Sequence, residues 1–212
     1  GLNLASHALG LRKRLFSWRY AVPHTPGIEA LLAADPMVSP LAAEPANADP
    51  EYGKALMTGL RGKSIARIGA NPDGFDTCAY DAGELAALTG IQVAGFELDD
   101  LFDRARGAPE AAAEGLRDEL AHSLSGLDRV DQTELDRSLR LKLALDEMRK
   151  SGGFDAFAIR CWPETFTEYG GAVCGPACMM GENRVPCACE ADVYGAATQL
   201  LLQAASGQPV FL

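Results

Sequence analysis

Residues 64–69 (SIARIG) and 91–98 (IQVAGFEL) are two apolar runs of strand length, and the helix between them has both of its ends encoded. Asp81 can cap that helix, with Glu84 three residues on reaching back, and Gly90 supplies a left-handed stop. Strand, helix and strand in so short a stretch make a right-handed parallel unit, and this places the chain in the α/β class. The pattern then continues. Residues 98–126 are rich in Ala, Glu, Asp and Arg and read as one or two exposed helices, started by Glu97, Asp99 and Asp100, with Pro109 suited to a first turn. Residues 131–151 form a further helix, opened by the capping box DQTE, with Leu135, Leu139 and Met148 on one buried face and Gly152 and Gly153 at its end. Residues 154–161 (FDAFAIRC) are a third strand, too apolar for an exposed edge. The last helix is expected over residues 190–206, with Val193, Ala197, Leu200, Leu201 and Ala204 at helical spacing and Gly207 as its stop, and residues 208–212 begin a fourth strand. The expected fold is an open, mostly parallel α/β sheet with helices on both faces, Rossmann-like and incomplete at both ends. Ligands of such sheets bind beyond the carboxyl ends of the strands. Here those ends are the NPDGF loop, where Asp73 and Asp76 read as turn caps, the turn at residues 97–100, and the CWPE loop.

A length of 212 residues allows between one and two domains. Residues 1–60 change character twice, from a helical opening containing RKR to a stretch in which prolines crowd between Pro23 and Pro50. Proline removes a backbone donor and restricts its predecessor, so residues 1–60 read as the tail of a preceding domain plus a linker, and residues 61–212 as the second, α/β domain. Nineteen basic against twenty-nine acidic residues give a formal charge of −10, which repels phosphate backbones and anionic headgroups and argues against nucleic-acid or membrane partners. No run of eighteen apolar residues is present and the first residues lack the order of a secretory signal, so a soluble, cytoplasmic protein is expected.

The loop that leaves the third strand carries the chemistry. It holds Cys161, Cys174, Cys178, Cys187 and Cys189, five of the six cysteines, together with several glycines and acids. Three readings compete. Cys174, Cys178, Cys187 and Cys189 could surround a soft metal ion, but C-x3-C with a distant C-x-C and no nearby histidine matches zinc or iron–sulfur spacing poorly, and the thiols also suit small buried fillers. Cys189, just ahead of the last helix, sits where a helix N-terminus would activate a thiol, yet His7, His24 and His122 all lie elsewhere in the chain. Glu190 and Asp192, read as the first turn of the last helix, with Glu164 across the loop, form a carboxylate site able to hold a hard divalent cation, although acids there also simply complement the helix dipole.

The segments AIRCWPE (residues 158–164) and VPCACEADVYGAATQLLLQAASGQPVFL (residues 185–212), with looser support from LRGKSIARIGANPDGFDTCAYD (residues 60–81), resemble the second domain of L-fucose isomerase-like sugar isomerases, related also to L-arabinose isomerase. The resemblance implies an aldose–ketose isomerase acting on a free monosaccharide through an enediol, with Mn2+ or another divalent cation bridging the sugar's O1 and O2 and two acids moving the proton. It assigns the first acid and metal ligand to Glu190 and contact with the open-chain sugar to Trp162 and Glu164. It implies a hexamer, a second acid after Leu212 and a histidine ligand from a later domain. The 212-residue chain by itself is then expected to bind Mn2+ weakly and to leave sugars unchanged, since proton abstraction beside a carbonyl needs both the metal and a placed carboxylate. A tryptophan beside a carboxylate suits a polyol, though a strand-end tryptophan is also commonly core. Two rivals come from other classes: a non-catalytic sugar-binding α/β module, and a cysteine-ligated metalloprotein.

Overall fold

Among the described residues, four short parallel strands form one sheet in the order β2-β1-β3-β4: β1 (Ser64–Ile68), β2 (Gln92–Phe96), β3 (Ala156–Ile159) and β4 (Cys187–Ala188). The computed structural model describes residues 50–210. From Lys54 onward the described residues belong to one compact unit. The RKR opening and the proline-rich stretch of the expected linker lie outside them. What is described of residues 1–60 is α1 (Pro50–Leu60), a regular helix whose last residue is 2% exposed in the core.

Helices cover both faces of the sheet, as the alternating pattern requires. On one face α3 (Leu98–Arg106), α5 (Gln132–Gly152) and α6 (Cys174–Glu182) bury Leu101, Phe102, Leu141, Leu145, Met148 and Met180 against Ala66, Ile68, Phe157 and Ile159. On the other, α1, α2 (Ala82–Thr89) and α7 (Val193–Ser206) bury Leu60, Leu85, Val193, Ala196 and Leu200 against Ile65, Ala158 and Ala188. Every residue of β3 is buried, so this strand is central, and an apolar run covered on both sides is what FDAFAIRC encodes. α4 (Glu110–Ser123) lies against α5 and is mostly exposed, with Ala113 buried.

The helix ends follow the sequence closely. Asp81 Oδ1 accepts from Glu84 N at 2.7 Å, Asp131 Oδ1 accepts from Thr133 N and Glu134 N, and Glu97 with Asp100 forms a capping box. Gly90 and Gly207 are left-handed stops. Pro109 is the N-cap of α4, one place ahead of the first helical turn.

Three expectations fail. The fourth strand is Cys187–Ala188, inside what reads as loop; residues 208–210 are not strand, and residues 211–212 lie outside the described part. Two residues carry no periodicity, so no local pattern could mark β4; only pairing with Phe157 and Ala158 creates it. The last helix starts at Val193, because Glu190 and Ala191 have φ of 58° and 53° and cannot join a right-handed turn. Its buried face includes Val193, Ala196, Ala197, Gln199 and Leu200, while Ala204 is exposed in the turn that overhangs the amino end of the sheet.

Candidate functional site

Strand order reverses at β1, since β2 lies on one side of it and β3 on the other, and the loops beyond β1, β3 and β4 meet there through Asn71, Cys161 and Glu190. Gly69 turns the chain out of β1 with φ of 78°, its N–H bonded to Phe96 O at 2.8 Å. A Cβ at Gly69 would stand 2.8 Å from Arg160 Cβ and 3.1 Å from Leu98 Cγ, so a bare backbone is what lets the first and third strand ends approach.

Glu190 sits above β4 in a left-handed turn, not in a helix. The turn is held from the β1 loop: Asn71 Nδ2 donates to Cys78 O at 3.0 Å and to Glu190 O and Ala191 O at 3.2 Å each. The side chain is half-buried and turns toward the end of β3. Its Oε1 accepts from Cys161 Sγ at 3.3 Å, and its Oε2 is buried with no hydrogen-bond partner. Contact with Cys189 and burial hold the Cys161 thiol well above the ordinary thiol range, so at neutral pH it is protonated and serves as donor. An unpartnered buried carboxylate oxygen is costly, and its physical complement is a cation or a proton donor.

Glu164 does not meet Glu190. Arg160 grips it instead, Nε to Oε2 at 2.8 Å and Nη2 to Oε1. The hydrogen bonds from Arg160 hold the Glu164 carboxyl below the usual carboxylate range, and Arg160 is raised in turn, with Asp73 and Glu168 adding negative charge around it. Glu164 is therefore a fixed anion, an acceptor for hydroxyl groups rather than a carrier of protons. Trp162, joined to Pro163 by a cis peptide, is 55% exposed and lies 5.6 Å from Phe166, itself 43% exposed, centroid to centroid. The strand-end tryptophan is thus a surface ledge, not core. Asp192 is committed to structure: its Oδ1 caps α7 through Gly195 N at 2.8 Å.

All six cysteines are free thiols. Among the described residues no group of three or more His, Cys, Asp and Glu side chains is gathered closely enough to hold a metal, so Cys174, Cys178, Cys187 and Cys189 do not make a thiolate centre by themselves. Cys189 precedes a left-handed turn rather than a helix N-terminus, so the dipole invoked for its activation is not at its thiol. Among the described residues no helix is long and apolar enough to cross a membrane.

The sequence does not single out Asn71, Arg160 or Phe166, and it marks Cys161 as one of the clustered cysteines but not as the partner of Glu190. The Arg160–Glu164 pair has the i,i+4 spacing of a helical ion pair, which is legible in the sequence; nothing local marks Asn71 as a tie to Glu190 and Ala191, which lie more than a hundred residues away.

No protein-family model matches the chain. Curated proteins are similar to it: one named sulfoquinovose isomerase from Clostridium sp. (strain MSTE9) is 31% identical over 152 residues, covering 72% of this chain and 34% of that protein. Another of the same name from Alkalicoccus urumqiensis is 32% identical over 143 residues, 68% of this chain and 32% of the relative. A third, from Priestia aryabhattai, is 26% identical over 152 residues. The chain spans about a third of the length of these relatives.

Proposed function

We propose that this chain is part of an aldose–ketose isomerase acting on a free monosaccharide, with Glu190 as its proton-transferring and metal-binding carboxylate. The observation that carries the reading is the buried, unpartnered Oε2 of Glu190 at the reversal point of the sheet, in a chain similar to sulfoquinovose isomerases. The resemblance to L-fucose isomerase-like enzymes puts the metal ligand at the same residue.

The donor chemistry fits a hard divalent cation at one ligand: Glu190 Oε2 would hold it, and the further ligands are expected outside residues 50–210. Such an ion, Mn2+ in this reading, supplies Lewis-acid stabilisation of negative charge on the two sugar oxygens. The described residues supply the first acid and its surroundings. Cys161 donates to Oε1 and so fixes the carboxylate plane, which leaves the unpartnered Oε2 for the cation, and the resemblance gives the proton transfer between C1 and C2 to the Glu190 carboxylate together with a second acid outside the described residues. Trp162 and Phe166 offer an aromatic ledge to the C–H face of the sugar, and Glu164, kept ionised by Arg160, accepts from its hydroxyls. A sulfonated sugar is the first substrate to try, given what the relatives are named for. Assembly into a homo-oligomer, a hexamer by the resemblance, and a cytoplasmic setting, which suits free thiols, belong to the same proposal.

The test is Mn2+ binding followed by electron paramagnetic resonance on the 212-residue chain, wild type against Glu190→Gln. Weak saturable binding that Glu190→Gln abolishes is expected. Equal affinity in the two proteins would remove Glu190 from the site and the reading with it.

A further inference from the structure

Glu190 and Ala191 are consecutive residues other than glycine with positive φ, a conformation that L-residues adopt singly and at a cost unless their surroundings impose it. Ala191 is fully buried, so the turn is not a surface excursion that solvent could relax. The imposing group is identifiable. One carboxamide nitrogen, Asn71 Nδ2, reaches the carbonyl oxygens of both strained residues and, on its other side, the carbonyl of Cys78. All three partners are acceptors, which fixes the orientation of the amide: the nitrogen, not the oxygen, must face them. Asn71 therefore ties the loop beyond β1 to the turn beyond β4, and the residue it bends there is the one whose carboxylate is left unsatisfied.

From this juxtaposition we propose that Asn71 is a positioning residue for Glu190: it holds the left-handed turn that directs the carboxylate toward Cys161 at the end of β3, without touching the sugar or the ion. The inference rests on the reading of Glu190 as the working carboxylate. Without the Asn71 amide, three carbonyls lose a shared donor and the turn can relax to negative φ, which swings Cα–Cβ of Glu190 away from Cys161. Removing Asn71 then acts on Glu190 as the loss of an outer-shell partner acts on a metal ligand, an effect of about 10- to 100-fold in metal affinity.

The experiment is solution NMR of the 212-residue chain, with Cα and Cβ shifts of residues 190 and 191 read in wild type, Asn71→Ala and Asn71→Ser, alongside Mn2+ titrations of the same proteins and thermal melts. The expected result is left-handed shifts in wild type, lost in Asn71→Ala and partly kept in Asn71→Ser, whose hydroxyl can still donate, with Mn2+ affinity falling about tenfold. Left-handed shifts that persist in both variants would overturn the proposal, and so would full Mn2+ affinity in a variant whose turn has relaxed while Glu190→Gln abolishes binding. If Asn71→Ala fails to fold, the Asn71→Ser comparison decides by the same criteria. If Glu190→Gln leaves Mn2+ binding unchanged, the metal reading of Glu190 fails, and the shifts alone still decide whether Asn71 sets the turn.

Discussion

Replacing Gly69 by Ala separates steric crowding from backbone strain where the ends of β1 and β3 approach each other. Gly69 has φ of 78°, and the added methyl would lie 2.8 Å from Arg160 Cβ and 3.1 Å from Leu98 Cγ. The left-handed backbone costs an L-residue about 1 kcal/mol at the low end. Forcing a carbon into packed neighbours adds about 2 kcal/mol more, in the middle of the range for overpacking, because Arg160 Cβ belongs to the end of β3 and cannot swing aside as a chain tip would. The sum, about 3 kcal/mol, is a large part of a stability of roughly 5–15 kcal/mol. For a domain of this size it corresponds to a fall in melting temperature of about 9 °C. Gly74→Ala is the internal control, because Gly74 has φ of 82° and nothing within 4 Å of its would-be Cβ, so it should lose only the backbone part, about 1 kcal/mol. Urea unfolding of the three proteins measures both values. If Gly69→Ala and Gly74→Ala destabilise equally, the close approach of the β1 and β3 ends is not what Gly69 serves, and the packing of the strand ends described above is wrong.

Two further predictions concern neighbouring groups. Arg160→Gln releases Glu164, whose carboxyl the arginine holds below the ordinary range; a group lowered by folding stabilises above its unfolded value of about 4 and loses that contribution as pH falls through its folded value. The stability gap between wild type and Arg160→Gln should therefore be widest at neutral pH and close toward pH 3, as read by unfolding at a series of pH values; a gap that stays constant across that range would mean that the fork contributes nothing through ionisation. Asp192→Ala removes the cap on Gly195 N and should cost about 1 kcal/mol by urea unfolding, with Mn2+ binding unaffected, since Asp192 is a capping residue and not a ligand.

The helix boundaries show where sequence suffices. The ends of α2, α3 and α5 are written in residues three positions apart: Asp81 accepts from Glu84 N and Asp131 from Glu134 N, but of the three pairs Glu97 with Asp100 alone closes the reciprocal box, and Asp81 N donates to Tyr194 Oη instead of to Glu84. The same local logic placed Glu190 and Asp192 together in a helical turn, and there it fails. Asp192 does cap α7, but the two residues ahead of it are bent by Asn71, a group 119 positions earlier in the chain. Trp162 is a second case. Its residue type fits core or surface equally well, and only the turn after β3, which lays Phe166 beside it, leaves it half open to solvent.

The α/β class and the parallel sheet covered on both faces were determined by sequence alone, because periodicity, capping and strand-length apolar runs act over a few residues and survive without the rest of the molecule; Glu190 was singled out by the family resemblance and not by any such local pattern. The tertiary structure alone decided that β4 exists, that Glu164 belongs to Arg160, and that Glu190 points one oxygen at Cys161 and leaves the other unpartnered. Each of these depends on groups brought together from separate loops at the sheet's carboxyl edge, and a hydrogen bond between residues far apart in sequence leaves no periodic trace in either segment.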